Sequence, residues 1–300
     1  MVKTWALVAY TLLTQMSVGT FLVYWFSCLA ARRESNPEVE RLIHRPLPII
    51  AALLVLGMVT SLFHLGRPIM AYRAVTNLGT SWLSREILFT VAYGLLGLLY
   101  VGVVSGRVKL SSWTKALGCL VSLTGIGLVY SMSSIYMIGA VPSWNTMATP
   151  VGFFAATLLL GGLITGVAFQ TGGVAGQPRQ PATLIRERVF QWIGLGSILL
   201  LGMQVGALVL ATGQLSAQGA AVVGGVASVS ESFTALTALY LILAFLGAGF
   251  CGALVYGETL KSGERKSLRQ LTYVAFALVL ASQVIHRFLF YVNEVRIGLY

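Results

Sequence analysis

The chain is short of charge, and shortest of all in acid. Only 10% of its 300 residues are charged, and the nine acidic residues are all Glu; aspartate is absent. Soluble globular proteins carry about 25% charged residues. With so few charges, and 57% of residues hydrophobic, no ordinary water-facing surface can be built. Three cysteines (Cys28, Cys119, Cys251) stand singly in apolar sequence, without CxxC or metal spacing. That excludes an iron–sulfur cluster held by this chain and leaves them as small packing residues. Three histidines (His44, His64, His286) are too few for a site of two haems with paired axial histidines. The first apolar run is too long for the core of a cleavable signal and no small-residue cleavage site follows it, so it is expected to stay as the first span.

What the chain does have is eight long apolar runs, near 5–31, 47–63, 83–104, 116–138, 151–170, 190–211, 233–256 and 271–291. A helix needs roughly 20 apolar residues to cross a bilayer. The runs are uninterrupted and lack period-2 alternation, which makes them helices and not barrel strands. The expectation is an all-α integral membrane protein with eight transmembrane helices. Pro46 and Pro48 fall at the start of the second span, where a missing N–H costs nothing. Pro142 and Pro150 are expected to bracket the loop between spans four and five. The Gly/Pro-rich stretch at 171–185 divides one membrane domain, 1–300, into two candidate four-helix halves; no convincing sequence repeat relates them.

The net charge of +11 does not point to nucleic acid. Fourteen of the 20 Lys and Arg lie in the loops after spans one, three, five and seven. By the positive-inside rule those loops are cytoplasmic and both termini lie outside. One outward stretch breaks the rule: SLFHLGRPIMAYRAVTNLGTSWLSREILF, Ser61 to Phe89, carries Arg67, Arg73 and Arg85 with His64 and Glu86. Arginines near helix ends reach headgroups as a matter of course, and equally meet a partner protein.

Ionisable groups inside a membrane span are costly and so are candidate functional groups. His64 ends span two and Glu86 begins span three, joined by one short loop. A histidine that exchanges a proton near neutral pH, beside a carboxylate, suits a quinol hydroxyl at the headgroup boundary. The same pair also reads as a helix-end histidine and a carboxylate held by Arg67, Arg73 or Arg85. On span eight, Gln283, Arg287, Tyr291 and Glu294 follow 4, 4 and 3 spacing and share a face, with Ser282, His286 and Asn293 alongside. Such a stripe should look into the bundle, where Arg287 pairs internally. Trp82 and Trp144 read first as interfacial belt and second as site lining. One haem between His64 and His286 is an alternative, a secondary transporter another; the crowding of ionisable groups at one interface counts against the transporter.

The Ser61–Phe89 run resembles the membrane anchor subunits of the dimethyl sulfoxide reductase family, the DmsC group. VPSWNTMATPVGFF, between spans four and five, is similar to a second stretch of that family. The resemblance implies a menaquinol-oxidising anchor with neither haem nor iron–sulfur cluster in the bacterial inner membrane. On its periplasmic side it would hold a ferredoxin-like subunit with four [4Fe–4S] clusters and a molybdopterin catalytic subunit. The FHLG histidine matches His64 and the SWLSRE acid matches Glu86, both implicated in quinol handling. The quinol site expected from the residues and the resemblance together is His64, Arg67, Trp82, Arg85, Glu86, Gln283, His286 and Arg287.

Overall fold

The computed structural model describes residues 2–31, 36–63, 76–170, 181–217, 231–260 and 266–292. These residues form helices and turns, with no strand among them. In chain order the helices are α1 (Val2–Ala30), α2 (Pro37–Ile43), α3 (Pro46–Leu62), α4 (Trp82–Val104), α5 (Thr114–Ser134), α6 (Ala148–Gln170), α7 (Pro181–Ala217), α8 (Glu231–Ala244), α9 (Gly252–Leu260) and α10 (Lys266–Val292). A π-helical turn, Phe245–Cys251, joins α8 to α9 within one span. Eight of the resulting segments are long and apolar enough to cross a membrane.

The span count agrees with the sequence, and the boundaries differ in three places. α7 begins at Pro181, so the end of the 171–185 stretch is helical, with proline at the first helical position where it is tolerated. Pro150 does not close the loop after Pro142; it lies in the first turn of α6, which starts at Ala148. The loop after span one contains the short α2. Asn36 caps α2 by accepting the Glu38 N–H at 2.8 Å.

α1 and α6 form the centre. They cross where Gly19 faces Thr157 and Gly161, so closely that a Cβ on either glycine would run into the opposite backbone. Close backbone approach at small residues is how membrane helices pack in the absence of a hydrophobic drive between them. Around this crossing each half repeats one arrangement. α1 packs on α3 as α6 packs on α7, and α4 packs on α5 as α8 packs on α10. α1 also touches α10, and α6 touches α5.

Most of the outer surface is Leu, Val, Ile and Phe. Leu98, Leu199 and Phe250, for example, are more than half exposed, as a lipid-facing surface requires. α1 is the exception on the inside: Thr11, Thr14, Gln15, Ser17, Thr20 and Ser27 are all buried. Several of these groups bond to neighbouring helices, as described below.

Candidate functional site

α4 begins at a local cap: the Ser81 hydroxyl accepts the Ser84 N–H at 3.3 Å. Arg85 then folds back over the preceding turn. Its Nε donates to the Leu78 carbonyl at 2.8 Å and its Nη2 to the Gly79 carbonyl at 2.7 Å. Its guanidinium lies over the Trp82 ring, 4.1 Å from the centroid, and Trp82 meets Tyr130 edge-on. Arg85 therefore fixes the entry to α4 and makes no ion pair with its neighbour Glu86.

Glu86 points the other way, into the bundle, and is 6% exposed. Its carboxylate accepts the Tyr10 hydroxyl of α1 at 2.7 Å. The Thr90 hydroxyl donates to the Glu86 backbone carbonyl at 2.8 Å. Among the described residues no cation reaches Glu86. A buried carboxylate with one neutral donor is an expensive arrangement, kept where a task requires it. His64, Arg67 and Arg73 lie outside the described residues.

A second buried charge lies against the neighbouring face of α1, about 100–140° around the helix. Arg287 of α10 is 2% exposed. Its Nη2 donates to the Gln15 side-chain oxygen at 2.9 Å, and its guanidinium lies 3.8 Å from the Phe153 ring centroid. Gln15 is held in turn, its amide nitrogen donating to the Phe153 carbonyl at 2.9 Å. Among the described residues Arg287 Nε has no partner, and no carboxylate contacts the guanidinium. Gln15→Leu is expected to destabilise the protein by roughly 2–3 kcal/mol, because it removes a hydrogen bond to a buried charge. Thermal unfolding in detergent measures this; an unchanged midpoint would contradict it.

α1 thus connects the two charges. Tyr10 holds Glu86, while Thr11 and Gln15, about 100–140° around the same helix, serve α10. Tyr291 donates to Thr11 at 3.4 Å and accepts from Tyr136 at 3.1 Å. The polar stripe of span eight does face inward: Gln283, Arg287 and Tyr291 are all buried. Gln283 exchanges reciprocal 3.1 Å amide hydrogen bonds with Gln204 of α7. Glu294 and Asn293 lie outside the described residues.

The α1–α4 contact continues across the bundle in steps of seven. Tyr10 meets Glu86, Ser17 meets Tyr93 at 3.2 Å, and Tyr24 meets Tyr100 at 2.9 Å. Tyr24 also contacts His44 Nδ1 at 3.1 Å, at the opposite end from Glu86. Two parallel helices with constant register bring such residues together once every two turns. The seam is not continuous: the Phe21 ring packs edge-on against both Tyr93 and Tyr100 and separates the last two steps.

A cavity of about 180 Å³ lies in the second half, beside Arg287. Trp144, Thr149, Gln204, Tyr240 and His286 contribute to its wall. His286 stacks on Tyr240 at 4.7 Å, and its buried Nδ1 has no partner among the described residues. Trp144 turns inward, its indole N–H on the Phe290 carbonyl at 2.8 Å and its ring stacked on Phe290. It forms part of the wall of this cavity. Of the expected site residues, Trp82, Arg85 and Glu86 gather at the start of α4, and Gln283, His286 and Arg287 gather around the α10 side. The structure places the two groups against faces of α1 about 100–140° apart, and the cavity wall includes His286 and Arg287 but none of Trp82, Arg85 and Glu86. Among the described residues no cluster of three or more His, Cys, Asp or Glu is placed to hold a metal.

Tyr10 and Gln15 were not among the expected site residues. One signal for Tyr10 is in the sequence: Tyr10, Ser17 and Tyr24 repeat at seven, as do Glu86, Tyr93 and Tyr100.

Eight membrane-length helices among the described residues, with the polar α1 near their centre and a buried acid at a helix entry, define a polytopic helical membrane protein. Its family is shown by comparison: the chain belongs to the DMSO reductase anchor subunit (DmsC) family, whose model matches residues 1–292. It is 34% identical over 158 residues to the C subunit of the anaerobic dimethyl sulfoxide reductase of Haemophilus influenzae, covering 52% of this chain and 55% of that one. It is 29% identical over 175 residues to the anaerobic dimethyl sulfoxide reductase subunit YnfH of Escherichia coli, covering 57% and 59%. With the C subunit of the Escherichia coli anaerobic dimethyl sulfoxide reductase it shares 27% identity over 300 residues, 98% of this chain and 96% of that one. The match spans just over half the length of the first two relatives and nearly all of the third. No solved structure matches the chain.

Proposed function

We propose that this chain is the membrane anchor of a molybdoenzyme complex and that it oxidises menaquinol at the outer face of the bacterial inner membrane. The observation that carries the reading is Glu86: a buried carboxylate at a helix entry, uncompensated by any cation among the described residues, with the Tyr10 hydroxyl on it. The family and the positive loops support the rest: the termini and the Glu86 end face outward, and the opposite loops face the cytoplasm.

In this reading quinol enters from lipid at the Glu86 end. His64 hydrogen-bonds one hydroxyl and takes its proton. Glu86 orients His64 or passes the proton to water, with Tyr10 holding the carboxylate in place. As both hydroxyl protons leave, the two electrons would pass one at a time to the nearest iron–sulfur cluster of a ferredoxin-like subunit with four [4Fe–4S] clusters. That subunit feeds a molybdopterin subunit that reduces the terminal acceptor. Trp82 and Arg85 shape the entry to the site; Arg67 and Arg73 hold the partner subunit or tune Glu86. Arg287 acts on the site from the α10 side through Gln15, with Tyr291 on Thr11 beside it, and Gln283 and His286 support that side.

His64→Arg tests the proton step. The expected result is a complex that assembles and accepts electrons from a reduced dye but does not turn over with quinol. Normal quinol-driven rates in His64→Arg would overturn the assignment. The optical spectrum of the reduced anchor is expected to show no b-type haem absorbance, and a haem spectrum would overturn the haem-free reading.

A further inference from the structure

α3 and α4 barely touch, and the slot between them has no part in the proton chemistry described above. It is an apolar groove of about 230 Å³. Its floor is buried: Phe21 and Tyr93 are each 2% exposed and Val121 fully covered. Its rim is open: Val55, Met58, Leu95 and Leu98 are between 43% and 69% exposed. The groove therefore faces lipid along its length and is closed only at its base.

Its position is set by the site beside it. At one end lies Thr90, one helical turn from Glu86 on the same inward face and hydrogen-bonded to the Glu86 carbonyl. Met58 lines that same end, six residues before His64. At the other end lie Leu47 and Val101. Thr90 to Val101 is eleven residues of helix, about 16 Å at 1.5 Å per residue. The groove thus begins one helical turn from Glu86 and runs toward the middle of the membrane and beyond.

We propose that this groove seats the isoprenoid tail of the quinol whose head group meets Glu86; the inference rests on the quinol reading above. The tail is long, apolar and without polar atoms, which is what a slot with a hydrocarbon wall and an open lipid side accommodates. A quinol so held is threaded with its head at the interface and its tail pointing into the core. Two glycines keep the slot wide. A Cβ on Gly97 meets nothing within 4 Å, and one on Gly94 meets only Leu54 Cδ2 at 3.6 Å. A larger side chain at either position enters the groove without displacing backbone. It also removes a glycine from a helix interior, which does not weaken the helix.

The test is kinetic and uses the assembled complex in native membranes. The KM of long-tailed menaquinol is compared with that of menadiol, which has the same ring system and no isoprenoid tail. In Gly97→Phe the ratio of the two values is expected to rise on the order of tenfold, through loss of tail burial. kcat for the long-tailed quinol should change little, as for binding lost equally in ground and transition states. Leu123→Phe, on the lipid-exposed face of α5 away from the groove, should keep the wild-type ratio. Gly94→Leu repeats the test where Gly97→Phe assembles poorly. A ratio unmoved in both groove variants overturns the tail site and leaves quinol oxidation standing. A wild-type complex that oxidises neither quinol overturns both.

Discussion

Glu86→Gln lowers quinol-driven turnover of the assembled complex by at least about 100-fold, the usual scale for losing a positioned proton acceptor, while dye-driven turnover stays within about twofold of wild type. The substitution isolates the proton function. Glutamine keeps the shape of the side chain, and its amide oxygen can still accept the Tyr10 hydroxyl that now lies at 2.7 Å. What it loses is the capacity to take a proton. Removing a buried charge that no cation among the described residues compensates does not weaken the fold, so the variant should assemble at wild-type yield. The loss should fall on kcat more than on KM, because the carboxylate acts as the hydroxyl proton leaves and contributes little to holding the ring. Dye-driven turnover bypasses the anchor and controls for the partner subunits. Quinol-driven rates near wild type in Glu86→Gln would remove this residue from the reaction.

Gly19→Leu and Gly161→Leu should each prevent the folded anchor from accumulating. α1 and α6 approach so closely there that even a methyl group meets main-chain atoms of the opposite helix. Backbone cannot yield as a side-chain tip can, so the cost should be about 3 kcal/mol or more, at the upper end of overpacking effects. The consequence reaches the site, because α1 carries Tyr10 to Glu86 and Gln15 to Arg287. Gly196→Leu is the control: a Cβ at Gly196 meets nothing within 4 Å. Membrane yield and thermal unfolding in detergent read the difference. Wild-type yields in both crossing variants would mean that the two halves are not locked at this point.

The eight spans were legible because hydrocarbon thickness imposes a run length that no other environment requires. The inward stripe of Gln283, Arg287 and Tyr291 was legible for a related reason: such residues cannot face lipid. The partners of these groups were not. Tyr10 and Gln15 are ordinary residues in an apolar first span, and nothing local says that one meets Glu86, 76 positions away, and the other Arg287, 272 positions away. Those pairings follow from the glycine crossing that makes α1 central, which is tertiary information. Arg85 beside Glu86 suggested an ion pair from sequence adjacency. Neighbours on a helix diverge by about 100°, and the loop carbonyls of Leu78 and Gly79 took the guanidinium instead. The partner of Trp144 was not legible either: its N–H meets the Phe290 carbonyl, 146 positions away.

The central claim is that quinol reacts beside Glu86 and not in the cavity of the second half. Photolabelling of the assembled complex with an azido-naphthoquinone, followed by mapping of the labelled peptides, tests it most directly. The account predicts label on the start of α4 and the facing turn of α1, around Trp82–Thr90 and Leu7–Thr11, competed away by menaquinol. Competed label on Trp144, Tyr240 or His286 instead would place the reaction in that cavity and contradict it.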